Sequence, residues 1–220
     1  MKFICDKPWL KADLGGLFEV LSWAPYRPGF VQASEIWWRE VRNEDLTENF
    51  DAIHWLKTEI TSCDPVDCVC FLTSRDVLLH HFSSATVEGI RVDTLATVGL
   101  GNVEAVGSRR GKSSGFGTIN IATQVHVNMS EMAKIEALTI IAEARTAAIM
   151  ETEITLPEGR ATGTGTDCIA LASAIDGERH DYAGLHTALG EAIGKSVRET
   201  VLAGAKSYQP NLPRLKSRRD

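Results

Sequence analysis

Thr162, Thr164 and Thr166 alternate with Gly163 and Gly165, and the run ends on Asp167. A period of two is that of an extended strand, so the threonines share one face and Gly163, Gly165 and Asp167 share the other. Glycine in a strand gives up packing and conformational entropy. It is kept where a ligand or another backbone comes close. A carboxylate beside such a bared surface can act as a general base, and threonine hydroxyls beside it can steady an oxyanion. The run therefore reads in two ways. Either Asp167, Thr164 and Thr166 do chemistry on a substrate that Gly163 and Gly165 admit, or a sheet crossing is relieved by glycine and Asp167 caps the next turn.

Two helical patterns must position partners for that carboxylate. Residues 129–152 read as a long helix with Asn128 and Glu131 as a capping box. On its wheel Ile135, Leu138, Ile141, Ala142 and Ile149 gather on one side, and Arg145 falls in the middle of them. A guanidinium centred on an apolar face needs a partner or must snorkel to water. Asp167 is the partner the sequence offers. A last helix is expected from Tyr182 to about Ser207, capped by Asp181, with Leu185, Leu189, Ile193 and Val197 as its packed side. His186 flanks that side one turn before Gly190, as a satisfied core histidine or an active-site imidazole. Arg145, Asp167 and His186 are expected to converge on one pocket, because consecutive elements are usually neighbours.

Thr118 and Asn120 follow Gly117 on one face of another extended run, and Gly99-Leu100-Gly101-Asn102 is a third glycine-and-amide element. Together with the Thr/Gly run they make a polar floor suited to amides, since Asn and Thr donate and accept. Asn102, Thr118 and Asn120, with Gly163 and Gly165, are the candidate substrate-binding residues. Arg109, Arg110 and Lys112 sit in a glycine- and serine-rich loop that could meet an anionic part of a substrate. That loop is no P-loop. It is one residue short between its glycines and no helix start follows.

Other chemistries lack support. His80 and His81 are adjacent, His180 and His186 straddle a helix start, and there is no H-E-x-x-H pattern, so no metal site is read. There is no G-x-S-x-G elbow. Five cysteines, an odd number, fit reduced thiols. A net charge of −6 argues against broad nucleic-acid binding. No apolar run reaches the ~20 residues of a membrane span, and the first residues form no signal-peptide core. A cytosolic (cytoplasmic) protein is expected.

Phe18–Ala24 and Phe30–Val41 read as a strand pair, residues 51–60 as a helix, 67–72 as a short strand, 75–82 as a helical turn or two, and 86–98 and 116–127 as extended. Of the adjacent Trp37 and Trp38, one is expected in the core and the other at a surface or ligand. Strands come first and long helices later. The expected class is α/β or α+β, one layered domain over residues 1–206 with a mixed β-sheet and two long C-terminal helices packed on it. A loose basic tail, 207–220, follows.

Several motifs in order resemble the adenosylcobinamide amidohydrolase family of corrinoid salvage. They are Val20-Leu21-Ser22-Trp23-Ala24-Pro25, Val98-Gly99-Leu100-Gly101-Asn102, Gly117-Thr118-Ile119-Asn120-Ile121, Glu143-Ala144-Arg145-Thr146-Ala147-Ala148, Ala161 to Asp167, and Ala183-Gly184-Leu185-His186-Thr187-Ala188-Leu189-Gly190. Arg145 departs from the lysine expected there. The resemblance implies hydrolysis of the amide joining the aminopropanol arm to a corrin-ring propionate, with the corrinoid as substrate and no cofactor. Water activated by Asp167 or His186 is one route, with Arg145 tuning Asp167. A threonine nucleophile activated by His186 is another. A corrinoid-binding or delivery protein without catalysis is the alternative. A homo-oligomer is compatible with the sequence but not specified by it.

Overall fold

The computed structural model describes residues 1–41, 51–63, 67–108 and 117–208. The chain runs β1 (Lys2–Asp6), β2 (Trp9–Ser22), β3 (Gly29–Glu40), α1 (Ala52–Thr61), β4 (Cys68–Thr73), a 3-10 turn (Val77–Leu79), β5 (His80–Val87), β6 (Ile90–Val98) and β7 (Val103–Glu104). It continues with β8 (Ile119–Met129), α2 (Glu131–Met150), β9 (Thr155–Leu156), β10 (Gly159–Arg160), β11 (Gly163–Thr164), β12 (Cys168–Ala174), β13 (Arg179–His180) and α3 (Ala188–Tyr208). The main sheet has the order β4-β3-β2-β12-β8-β6-β5, with β1 added on β2 and β13 on β8. It is mixed: β8 and β12 are parallel neighbours joined through α2, and β3 and β4 are parallel too. The expected mixed-sheet α/β class, with two long helices on the sheet, is what forms.

Period-two alternation divides the sheet into two apolar faces. On one face Ile119, Ile121 and Val125 of β8, Ile169 and Leu171 of β12, and Val92, Ala96 and Val98 of β6 pack under α2 and α3. On the other, Leu10, Val20, Ile36, Trp38, Phe71, Leu95, Ala122 and Ala170 form a second core. The sheet curls around this inner core. Phe3 of β1 meets the rings of His80 and Phe82 of β5, although β1 is added on β2 and three strands separate β2 from β5 in the order. Trp37 faces outward into a third cluster with Leu56 and Ile60 of α1 and with Cys68 and Cys70. Trp37 and Trp38 thus point to opposite faces as expected, yet both are buried, at 2% and 0% exposed. A helix covers the outer face at Trp37, so neither indole is left for a ligand.

Several boundaries differ from the sequence reading, each for a local reason. Residues 86–98 hold a hairpin rather than one strand. Glu88 and Gly89 both take positive φ, the two-residue turn that matches strand twist. Ser130, not Asn128, caps α2, its hydroxyl accepting from the Ala133 N–H at 3.1 Å. α3 begins at Ala188 rather than Tyr182, where the Thr187 hydroxyl accepts from the Gly190 N–H at 2.9 Å. It continues through Tyr208, so residues 207 and 208 of the expected tail are helical. The Thr/Gly run is not one strand: only Gly163 and Thr164 pair, with Glu104 and Val103 of β7. No described helix is long and apolar enough to cross a membrane.

Candidate functional site

Asp167 stands at the foot of β12, beside the first residues of β8. Its carboxylate accepts from the Ile119 N–H and the Thr164 N–H, each at 3.0 Å, from the Thr164 hydroxyl and from the Arg145 guanidinium. The Asp167 side chain is 5% exposed. Gly163 makes room for the pair. A Cβ there would lie 2.7 Å from Asp167 Oδ2 and 3.0 Å from Arg145 Nη1. The pairing of Arg145 with Asp167 therefore holds, and so does the reason for the glycine. The close approach is of a buried ion pair, however, not of a substrate. With four donors on two oxygens, the carboxylate has no free lone pair aimed at water. That geometry makes Asp167 a clamp that ties α2, β8, β11 and β12 together.

Neighbours of Asp167 in sequence point the other way, into a cleft of about 240 Å³. It is lined by Leu72, Thr73 and Ser74 at the end of β4, by Asn102, and by Gly117, Thr118, Thr166 and Cys168, with Pro25 and Val41 at its side. The Thr118 hydroxyl lies 2.8 Å from Asn120 Oδ1 and 2.9 Å from the Thr166 carbonyl. Asn120 is buried beneath and donates to the Leu72 carbonyl at 2.6 Å, which pins the end of β4 over the sheet. The Thr166 hydroxyl donates to the Gly117 carbonyl at 3.1 Å. Gly117 packs against the 99–102 turn, and a Cβ at Gly165 would stand 3.1 Å from the Asn102 amide nitrogen. Asn102, Thr118 and Thr166 thus meet in one cleft, as the polar-floor reading expects. Asn120 supports it from below, and Thr164 serves Asp167 instead.

His186 is not brought there. The segment before it pairs at the far end of β8, His180 with Met129, and the Ala183 N–H is held by Glu136 near the start of α2 at 2.7 Å. β8 spans on the order of 30 Å between Ile119 and Met129 at the usual strand rise. His186 is exposed in the turn before α3, and Leu185, expected on the packed side, is exposed with it. The convergence of Arg145, Asp167 and His186 therefore fails at His186, because α3 starts six residues later than its sequence suggested. Arg109, Arg110 and Lys112 lie outside the described residues. Among the described residues no group of three or more His, Cys, Asp or Glu side chains is placed to hold a metal ion.

Sequence reasoning missed Pro25, Thr73, Ser74 and Cys168 as cleft residues. For Cys168 the available signal was position: it begins the strand that follows Asp167. Cys168 is the cleft's one titratable described side chain. Burial, and then the Asp167 charge, push its thiol up to about 11. A nucleophilic cysteine needs the opposite shift. Cys168 is expected to react slowly with iodoacetamide at neutral pH, with a rate that rises about tenfold per pH unit up to the thiol pKa. Peptide mass spectrometry across a pH series measures this. A plateau below pH 8 would instead make Cys168 a candidate nucleophile.

Comparison with known proteins bears on the whole chain. The model of the adenosylcobinamide amidohydrolase family (CbiZ) matches residues 1–212. An uncharacterized protein of Methanocaldococcus jannaschii, MJ1613, is 40% identical over 90 residues, 40% of this chain and 35% of that protein. The match thus spans about a third of that relative's length. Among solved structures, the PH0078 protein from Pyrococcus horikoshii OT3 aligns over 92% of this chain and 78% of its own, at 10% identity and a TM-score of 0.44.

Proposed function

The chain belongs to the adenosylcobinamide amidohydrolase family, and we propose that it hydrolyses the amide between the aminopropanol arm and a corrin-ring propionate, giving adenosylcobyric acid and the free amino alcohol. In this reading the protein serves cobinamide salvage and remodelling in the cytoplasm. The supporting observation is the cleft itself. Hydroxyls and a carboxamide from three strand ends and the 99–102 turn converge there, with donor and acceptor capacity matched to a secondary amide. Water adds to the carbonyl carbon, the C–N bond breaks, and the proton goes to the departing amine.

The hydrogen bonds already made fix what each group has left to offer. The Thr166 hydroxyl spends its proton on Gly117 and keeps lone pairs for the substrate N–H or the arm's hydroxyl. The Thr118 hydroxyl proton is likewise held between Asn120 and Thr166. Asn102 supplies the donor for the carbonyl oxygen and for the oxyanion that replaces it, a contact often worth about 3 kcal/mol in the transition state. Asp167 and Arg145 touch no substrate in this scheme. They hold the two parallel strands that carry Thr118 and Thr166.

The test is incubation of the purified protein with adenosylcobinamide and chromatography for adenosylcobyric acid. Product is expected, and Asn102→Ala is expected to lower kcat by about 10²–10³-fold with the fold intact. Tight binding without product would favour a corrinoid-binding or delivery protein. Cleavage of small amides alone would make the protein an amidase of another substrate.

A further inference from the structure

We propose that Trp23 is the platform on which the substrate's macrocycle rests, a role that depends on the amidohydrolase reading above. The cleft of about 240 Å³ falls below the roughly 300–1,000 Å³ of sites that enclose drug-sized ligands. It admits the arm and its amide. A four-pyrrole macrocycle must then lie outside, against the rim, and it presents a broad, flat, largely apolar face there. Burial of both Trp37 and Trp38 removes the two indoles the sequence pointed to.

Trp23 is 45% exposed, two residues before cleft-lining Pro25. Its Nε1–H donates to the Asp167 carbonyl at 2.8 Å, and the Cys168 thiol reaches the Trp23 carbonyl at 3.9 Å. The indole is therefore fastened by its polar edge to the strand whose residues line the cleft. What it leaves open is ring carbon. A tryptophan whose N–H is satisfied gains nothing from water on its face, and stacking on a planar partner recovers that surface. Recognition is thereby divided: polar groups in the cleft read the amide, and the indole reads the flat ring.

Three proteins separate stacking from structure: wild type, Trp23→Phe and Trp23→Ala. Equilibrium dialysis with adenosylcobyric acid, which carries the ring and has no arm to cleave, reads affinity. Steady-state hydrolysis of adenosylcobinamide reads KM against kcat. Trp23→Ala is expected to weaken affinity and raise KM by about tenfold or more, with kcat little changed. Trp23→Phe keeps the aromatic face, loses the Asp167 bond, and is expected to stay within a few-fold of wild type. An unchanged KM in Trp23→Ala, or an equal loss in both variants, overturns the platform. Should Trp23→Ala fail to fold, the wild type still decides. Adenosylcobyric acid must slow N-bromosuccinimide oxidation of Trp23 and spare none of Trp9 and Trp55, and equal oxidation of Trp23 with and without it overturns the proposal. If wild type neither binds nor cleaves corrinoids, the amidohydrolase reading falls first. Cleavage with an indifferent Trp23 removes the platform alone.

Discussion

Asp167→Ala is expected to lower stability by about 3–5 kcal/mol, the usual cost of removing one partner from a buried ion pair. For a chain of this size that is a fall in melting temperature on the order of 10 °C. The loss is large because four donors lose one acceptor group together: the Arg145 guanidinium, the Ile119 and Thr164 N–H groups and the Thr164 hydroxyl. Asp167→Asn is expected to fare little better. Its carboxamide keeps one accepting oxygen but turns an NH₂ toward donors. Arg145→Met is the milder change, since it leaves the carboxylate with three donors. Thermal melts of the three variants check this order. A folded Asp167→Asn protein with wild-type melting behaviour and no hydrolysis would return Asp167 to the role of general base, which its place at the end of the Thr/Gly run first suggests.

That reassignment shows what patterns can and cannot carry. The helical wheel put Arg145 among apolar residues and so called for a partner, and Asp167 is that partner. The face itself was misread, since α2 packs through Ala137, Ile141, Ala144 and Ala148 while Ile135 is 54% exposed and Arg145 stands at the edge. Direction was not legible. Whether a strand-end carboxylate faces a cleft or a helix depends on which side of the sheet the helix covers, and α2 lies over the Asp167 side. The second half of β2, β3, β4 and most of both long helices followed from apolar runs and period, whereas β1 and the first half of β2, residues 9–17, did not. His186 misled because Asp181 and an apolar Leu185 imitate a helix start, whereas Leu185 is exposed and the cap is Thr187. The curl that brings the end of β4 over β8, through Asn120 and the Leu72 carbonyl, is a long-range contact. No local pattern encodes it, and it is what closes the cleft. For the same reason Thr73 and Ser74 could not be read as site residues.

Gly117→Ala is expected to abolish most function with a smaller effect on stability. A Cβ at this position would lie 2.6 Å from the Gly99 carbonyl oxygen and 2.7 Å from the Gly101 nitrogen. Both are backbone atoms, so no rotamer change relieves the clash. The 99–102 turn must move instead, and Asn102 moves with it. Overpacking of this kind costs roughly 1–3 kcal/mol, which a folded domain tolerates. Displacing an oxyanion donor by about 1 Å can cost on the order of 10²-fold in rate. Gly165→Ala tests the gradation. Its Cβ would meet only the Asn102 amide nitrogen at 3.1 Å, the end of a side chain that can turn aside. Its loss is expected to be smaller and to appear in kcat, because the donor is misaimed rather than removed. Gly194→Ala is the control, a helical site on α3 with nothing within 4 Å, where alanine should stabilise slightly. Melting temperatures and hydrolysis rates of the three variants decide the matter. If Gly117→Ala loses stability and rate no more than Gly165→Ala does, the 99–102 turn is not what aims Asn102, and the oxyanion donor must be sought elsewhere in the cleft.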